Sequence, residues 1–336
     1  MDPYLEEGSG RLRALWRLAI QFWAYWVLDR LLFNQLVVAW LLARSGGRSA
    51  SGTLDTLVVP PSPILPLVSG VAGLLAAILT VWLAGRFLDR RPFAAFGFHL
   101  RAGWWWDLLF GMVLGALLIT TVFLLEVMLG WVRVSGAFET DGTNAPFAVS
   151  LLLPAATFLC VGFSEEIVFR GYQLKNAAEG LNYPSLGPRG AVLLAWVLSS
   201  VFFGALHADN PHATPISTFN TILAGLMLGF AYVLSGELAI PIGLHFTWNL
   251  FQGVVYGFPV SGYEPYGPTL LTTEQAGPEL WTGGAFGPEG GLLAPAVMIL
   301  GISLLALWRR VRTGKVSLHA PIAEFPRRDR RQITDA

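Results

Sequence analysis

Long apolar runs separated by short polar breaks dominate the chain. They extend from Leu15 to Ala43, Ile64 to Ala84, Leu108 to Trp131, Phe147 to about Ala178, Ala191 to His207, Thr218 to Leu234, Leu238 to Gly257 and Leu292 to Trp308. A helix needs ~20 apolar residues to cross a bilayer. The pattern therefore predicts an all-α polytopic membrane protein with about eight transmembrane helices, several only just long enough. The fourth run is the longest, and at ~1.5 Å per residue its helix must tilt or protrude. The breaks carry turn chemistry. Arg44 to Pro61 is rich in Gly, Ser and Pro, Asp209-Asn210-Pro211 ends the fifth run, Ser235-Gly236-Glu237 is a tight connection, and 258–290 is a Gly/Pro-rich loop with acidic residues only. Asp29-Arg30 interrupts the first run and reads as a self-neutralised pair at a bend, or as part of an interfacial helix. Glu126, near the end of the third run, reads as an interfacial carboxylate. The chain divides into N-terminal helices with three spans (1–146), a core with four (147–257), and a loop, last span and basic tail (258–336).

Composition sharpens this reading. Hydrophobic residues make up 54% and charged residues 13% of the chain, against about 25% charged in a soluble globular protein. The lone cysteine, Cys160, excludes an intrachain disulfide and a Cys-rich zinc site. The first apolar run is too long for a cleavable signal peptide. Net charge is zero, yet all but Arg30, Arg44, Arg48 and Arg133 of the 22 Lys and Arg residues fall on one side of an eight-span topology. By the positive-inside rule both termini are cytoplasmic, and the expected location is a bacterial plasma membrane. The expected surroundings are the lipid bilayer and a peptide or protein substrate at the membrane, with no nucleic-acid partner. The sequence does not set an oligomeric state.

Against this apolar background the stretch Ser164-Glu165-Glu166-Ile167-Val168-Phe169-Arg170 stands out. A charge at the bilayer centre costs on the order of 3 kcal/mol on insertion scales, so intramembrane carboxylates point to function. Two later apolar segments carry matching polar residues, Phe203 to His207 and His245 to Asn249. Glu166 and Arg170 are four apart in the favourable ion-pair order, whereas Glu165 is rotated away from them. The site offers Glu165, His207, His245 and Asn249, supported by Glu166, Arg170 and Phe203. A carboxylate can take a proton from water, a histidine can orient that water, and a histidine and an asparagine can stabilise an oxyanion. The same groups would suit zinc held by Glu165, His207 and His245, although no HExxH helix is present. Each residue alone is as readily a helix-packing group; six of them on three runs are harder to explain that way. His99, His212 and His319 fall in breaks or tails and take no role.

These motifs, EExxxR at Glu165–Arg170, FxxxH at Phe203–His207 and HxxxN at His245–Asn249, resemble in order and spacing those of the CPBP (Abi) family, the CAAX-protease and bacteriocin-processing intramembrane endopeptidases. The resemblance covers about residues 147–257. It implies an eight-helix fold with an intramembrane active site, in which Glu165 and His207 activate water, His245 and Asn249 stabilise the oxyanion, and Glu166 and Arg170 support them. It implies peptide hydrolysis without a cofactor, with a zinc metalloprotease as the alternative. Two other classes compete. A proton-coupled transporter would use similar groups but also inverted repeats, which are absent. A non-catalytic membrane scaffold would be expected to have lost a motif residue.

Overall fold

Apolar helices in a bilayer gain little from burying hydrophobic area against one another, so they associate through close backbone approach and polar contacts. In the computed structural model, which describes residues 11–44, 64–140, 146–265 and 267–325, glycines supply that approach. The expectations placed on residues 1–10, on the break at 45–61 and on Arg327, Arg328, Arg330 and Arg331 lie outside the described residues.

The protein is an all-α polytopic membrane protein, 74% helical. Its helices are α1 (Ala14–Arg44), α2 (Ile64–Ala84), α3 (Ala102–Met128), α4 (Leu152–Glu165), α5 (Gly187–Leu206), α6 (Pro215–Ser235), α7 (Ala239–Leu250) and α8 (Leu293–Thr313). After Glu165 the α4 rod continues through a wider π turn, Glu166–Leu174, and a last turn, Lys175–Gly180. Among the described residues, seven helices are long and apolar enough to cross a membrane. The expected seventh span, Leu238 to Gly257, is the exception. It forms α7, of 12 residues, and a five-residue π turn, Phe251–Val255. All its residues from Ala239 to His245 are buried, so α7 is an inner helix, apolar because it faces protein and not lipid.

Local sequence sets the helix ends. α6 starts at a capping box, where Thr214 Oγ1 accepts from the Ser217 N–H and Ser217 Oγ accepts from the Thr214 N–H. It stops at Gly236, whose φ of +72° suits glycine. α1 is one continuous helix of 31 residues through Asp29 and Arg30, so the expected bend is absent. Asp29 is half-buried and Arg30 exposed, which leaves the helical hydrogen-bond ladder no reason to break. The breaks 133–145 and 258–290 contain a two-stranded antiparallel ribbon, β1 (Val132–Glu139) with β2 (Thr269–Gln275), in register Val132 with Gln275 and Glu139 with Thr269. Glu126 lies beside Gln275 and is wholly buried, not water-facing as expected of an interfacial carboxylate.

Two fastenings position the site. The first joins α3 to α7. Gly111 and Gly115 of α3 lie against the carbonyls of Ile240 and Leu244, Gly243 of α7 lies against that of Leu108, and Thr247 Oγ1 donates to Met112 O at 2.7 Å. This places His245 at a fixed depth. The second is a buried ion cluster. Arg17 pairs with Asp89 and Glu179 and donates to Asn176, while Arg11 and Arg91 also pair with Glu179. Arg11 and Arg91 sit over the Phe325 ring, so the first and last described residues share one face of the bundle.

A Cβ at Gly115 would meet the Leu244 carbonyl and the Thr247 hydroxyl. Gly115→Ala should therefore destabilise by about 1–3 kcal/mol, as overpacking does. Gly103→Ala, which meets only the flexible end of Arg312, should melt like the parent. Equal melting temperatures for all three proteins in detergent would show that close α3–α7 contact is dispensable.

Candidate active site

The site begins where α4 widens. The π turn opens at Glu166, immediately after Glu165, and such turns leave carbonyls for other partners. Ser199 Oγ of α5 donates to Phe169 O at 3.1 Å and docks α5 there. Glu166 is fully buried. Its Oε1 accepts from Arg170 Nη1 at 2.8 Å and lies 2.9 Å from His245 Nδ1. An ionised carboxylate only accepts, so Nδ1 carries the hydrogen and Nε2 points onward. That nitrogen lies 3.8 Å from Glu165 Oε2. Glu165 retains 23% side-chain exposure, and its Oε2 has no hydrogen-bond partner among the described residues. One imidazole thus stands between two carboxylates in different environments, one fully buried and ion-paired, the other partly exposed although its facing Oε2 is buried.

Phe203 organises the remaining groups. Its ring lies 4.3 Å from the Arg170 guanidinium, 4.6 Å from the His207 ring and 6.4 Å, edge-on, from the His245 ring. The stacked guanidinium also donates to Gly225 O of α6 at 3.4 Å. His207 follows the last residue of α5 and donates from Nδ1 to Phe203 O at 2.8 Å, which leaves Nε2 as the free acceptor. His207, His245 and Asn249 line one cavity of about 60 Å³ with Phe203, Trp248 and Glu289.

The helices bring Glu165, Glu166, Arg170, Phe203 and His245 into one network and put His207 and Asn249 on the cavity beside it. They do not pair Glu165 with His207: among the described residues the ion-pair partner of Glu165 is His245. Nor do they gather a ligand set. Among the described residues no group of three or more His, Cys, Asp or Glu side chains is placed to hold a metal ion, so Glu165, His207 and His245 do not fit zinc in this arrangement.

Two features escape sequence reasoning. Tyr25 and Asp29 of α1 approach the α4 rod through Gly73 of α2. A Cβ there would lie 3.6 Å from Asp29 Oδ1, 3.7 Å from the Tyr25 hydroxyl and 3.8 Å from Ser164 Oγ. The acidic loop also hides Glu289, in the turn Pro288–Gly290. Its Oε1 accepts from the backbone N–H and the hydroxyl of Ser261, and its Oε2 is buried without a hydrogen-bond partner among the described residues. The available signal was its position next to the start of an apolar span, at Leu292.

Residues 147–251 match the family model described as type II CAAX prenyl endopeptidase Rce1-like. The chain is also similar to uncharacterized protein YyaK of Bacillus subtilis (strain 168), with 26% identity over 238 residues, 68% of this chain and 73% of that one. No solved structure matches.

Burial raises the Glu289 carboxyl to about 7, from 4.5. The folded state therefore holds a proton that the unfolded chain releases, and stability falls as pH rises from about 4.5 to about 7. The full difference is on the order of 3 kcal/mol. Glu289→Gln removes this contribution, while every other ionisable group is common to the two proteins and cancels in the comparison. Between about pH 5 and about pH 7.5 the wild-type melting temperature should fall further than that of Glu289→Gln. Parallel curves would show that Glu289 is ionised throughout.

Proposed function

Starting from residues 147–251, which match the family model described as type II CAAX prenyl endopeptidase Rce1-like, we propose that the protein is an intramembrane endopeptidase that cleaves a membrane-associated, prenylated or peptide substrate by glutamate-activated water. The observation that carries this reading is His245, held by Glu166 at 2.9 Å and facing Glu165 at 3.8 Å. A gap of 3.8 Å is too long for a direct hydrogen bond and suits a bridging water.

The steps follow from the groups. Glu165, partly exposed and facing His245 across that gap, takes a proton from the water as its oxygen attacks the scissile carbonyl carbon. His207 presents a free Nε2 to the cavity and orients the water. The carbonyl oxygen becomes an oxyanion. Asn249 donates to it, as does His245 through Nε2–H, since an imidazole held between two carboxylates can carry protons on both nitrogens. The C–N bond then breaks, and the proton held by Glu165 passes to the leaving amine. Glu166 and Arg170 fix the orientation of His245 and do not touch substrate. No step runs through a metal. The natural setting for this reaction is a bacterial plasma membrane with both termini in the cytoplasm, a placement supported by the charge distribution and by the contact of Arg11 with Phe325, which puts the two described ends on one face of the bundle.

The division of labour between the two glutamates is testable. Glu165→Gln keeps the shape but accepts no proton, so kcat should drop roughly 100-fold or more with melting unchanged. Glu166→Gln leaves Arg170 buried without its charge partner, and breaking a buried pair costs about 3–5 kcal/mol. Its loss should appear in stability as well as in rate. The double variant Glu166→Gln/Arg170→Gln should recover part of that stability, because no orphan charge remains. Purely kinetic and equal losses at both glutamates would contradict these roles.

A further inference from the structure

Away from the active site, a second cavity of about 320 Å³ lies where α5 begins and α6 and α8 end. This volume is within the range of small-ligand sites, roughly 300–1,000 Å³. Arg189, Arg309, Lys315 and His319 line it, and no carboxylate does. None of the three permanent cations makes an ion pair among the described residues. Arg309 is tied to the Leu234 carbonyl at 2.9 Å, which aims it at this end of α6. Burial and the charges of Lys175 and Arg309 hold His319 below the usual histidine range, against the opposing charge of Glu324. The depth is that of a membrane interface. Trp308 precedes Arg309 on α8 and donates to Asp107, just after Trp104-Trp105-Trp106, of which Trp105 and Trp106 are exposed. Exposed apolar side chains also flank the cationic residues, with Leu186 near Arg189, and Val311 and Val316 near Lys315.

We propose that this cavity binds a phosphate group, supplied by the head of an anionic lipid. Three cations converging on a cavity that no carboxylate lines, with no ion-pair partner among the described residues, recognise a phosphate. Basic pockets between helix ends at the interface are suited to lipid heads, and the apolar neighbours would meet the acyl chains. The phosphate would tie the tail at Lys315–Pro321 to the ends of α5, α6 and α8.

The test is binding to the full-length protein in detergent, read by native mass spectrometry with phosphatidylglycerol, phosphatidylcholine or inorganic phosphate. Phosphatidylglycerol should bind in preference to phosphatidylcholine. Removing both exposed cations with Arg189→Gln/Lys315→Gln should weaken its binding roughly 30-fold, and Lys315→Gln alone roughly fivefold. Arg310→Gln, which removes an exposed neighbour outside the cavity, should bind like the parent. The single variant gives the answer if the double variant does not fold. Inorganic phosphate that binds and competes, with the same sensitivity to the variants, would keep the site and make free phosphate its ligand. Equal binding of both lipids with no phosphate binding, or equal losses in the cavity variants and in Arg310→Gln, would overturn the proposal.

Discussion

Glu166 is fully buried, and a single oxygen of it meets both Arg170 and His245. A carboxylate this dry is tolerable only with its charge partner in place, since an orphaned buried charge costs several kcal/mol. Much of the site follows from that constraint. Arg170 must return over the π turn, and its guanidinium then stacks on Phe203 of α5 and reaches the Gly225 carbonyl of α6. His245 must arrive on α7 at the matching depth. Its second nitrogen is thereby aimed at Glu165, the carboxylate that keeps some contact with solvent.

The depth of α7 is fixed by what its neighbours lack. Glycines at 111, 115 and 243 let α3 and α7 approach backbone to backbone, and the Thr247 hydroxyl bonds across the joint. On the other side Gly162 of α4 faces the backbone of Phe246. Side chains at these places would push His245 away from the two glutamates. The geometry of the candidate site therefore rests on packing outside the motifs, part of it from α3, beyond the 147–251 segment that matches the Rce1-like family model.

Much of this was legible in the sequence. Apolar run length gives the membrane class, and the i,i+4 spacing of Glu166 and Arg170 gives their ion pair, which survives the change from α to π winding. Other features have no one-dimensional signature. α7 is as apolar as a lipid-facing span, and its burial depends on neighbours that hydropathy does not register. The β1–β2 ribbon joins two breaks far apart in sequence, so neither break announces a strand alone. Glu289 sits in a Gly/Pro-rich acidic loop that looks solvated, yet the loop folds back over the His207–Asn249 cavity. Glu165 and His207 belong to separate apolar runs, the fourth and the fifth, and run limits alone do not relate their depths. The structure puts their helices in contact through Phe169 and Phe203, whose ring centroids lie 5.3 Å apart, and inserts His245 next to Glu165.

The central claim is that a network of Glu165, His245 and Glu166 activates water in the plane of the membrane without a bound metal. Purified full-length protein incubated with a peptide library, after exhaustive chelation and with cleavage products read by mass spectrometry, tests it most directly. The account predicts defined internal cleavage products at an unchanged rate in chelator. Cleavage that stops in chelator and returns only with zinc, or no cleavage of any peptide under either condition, would contradict it.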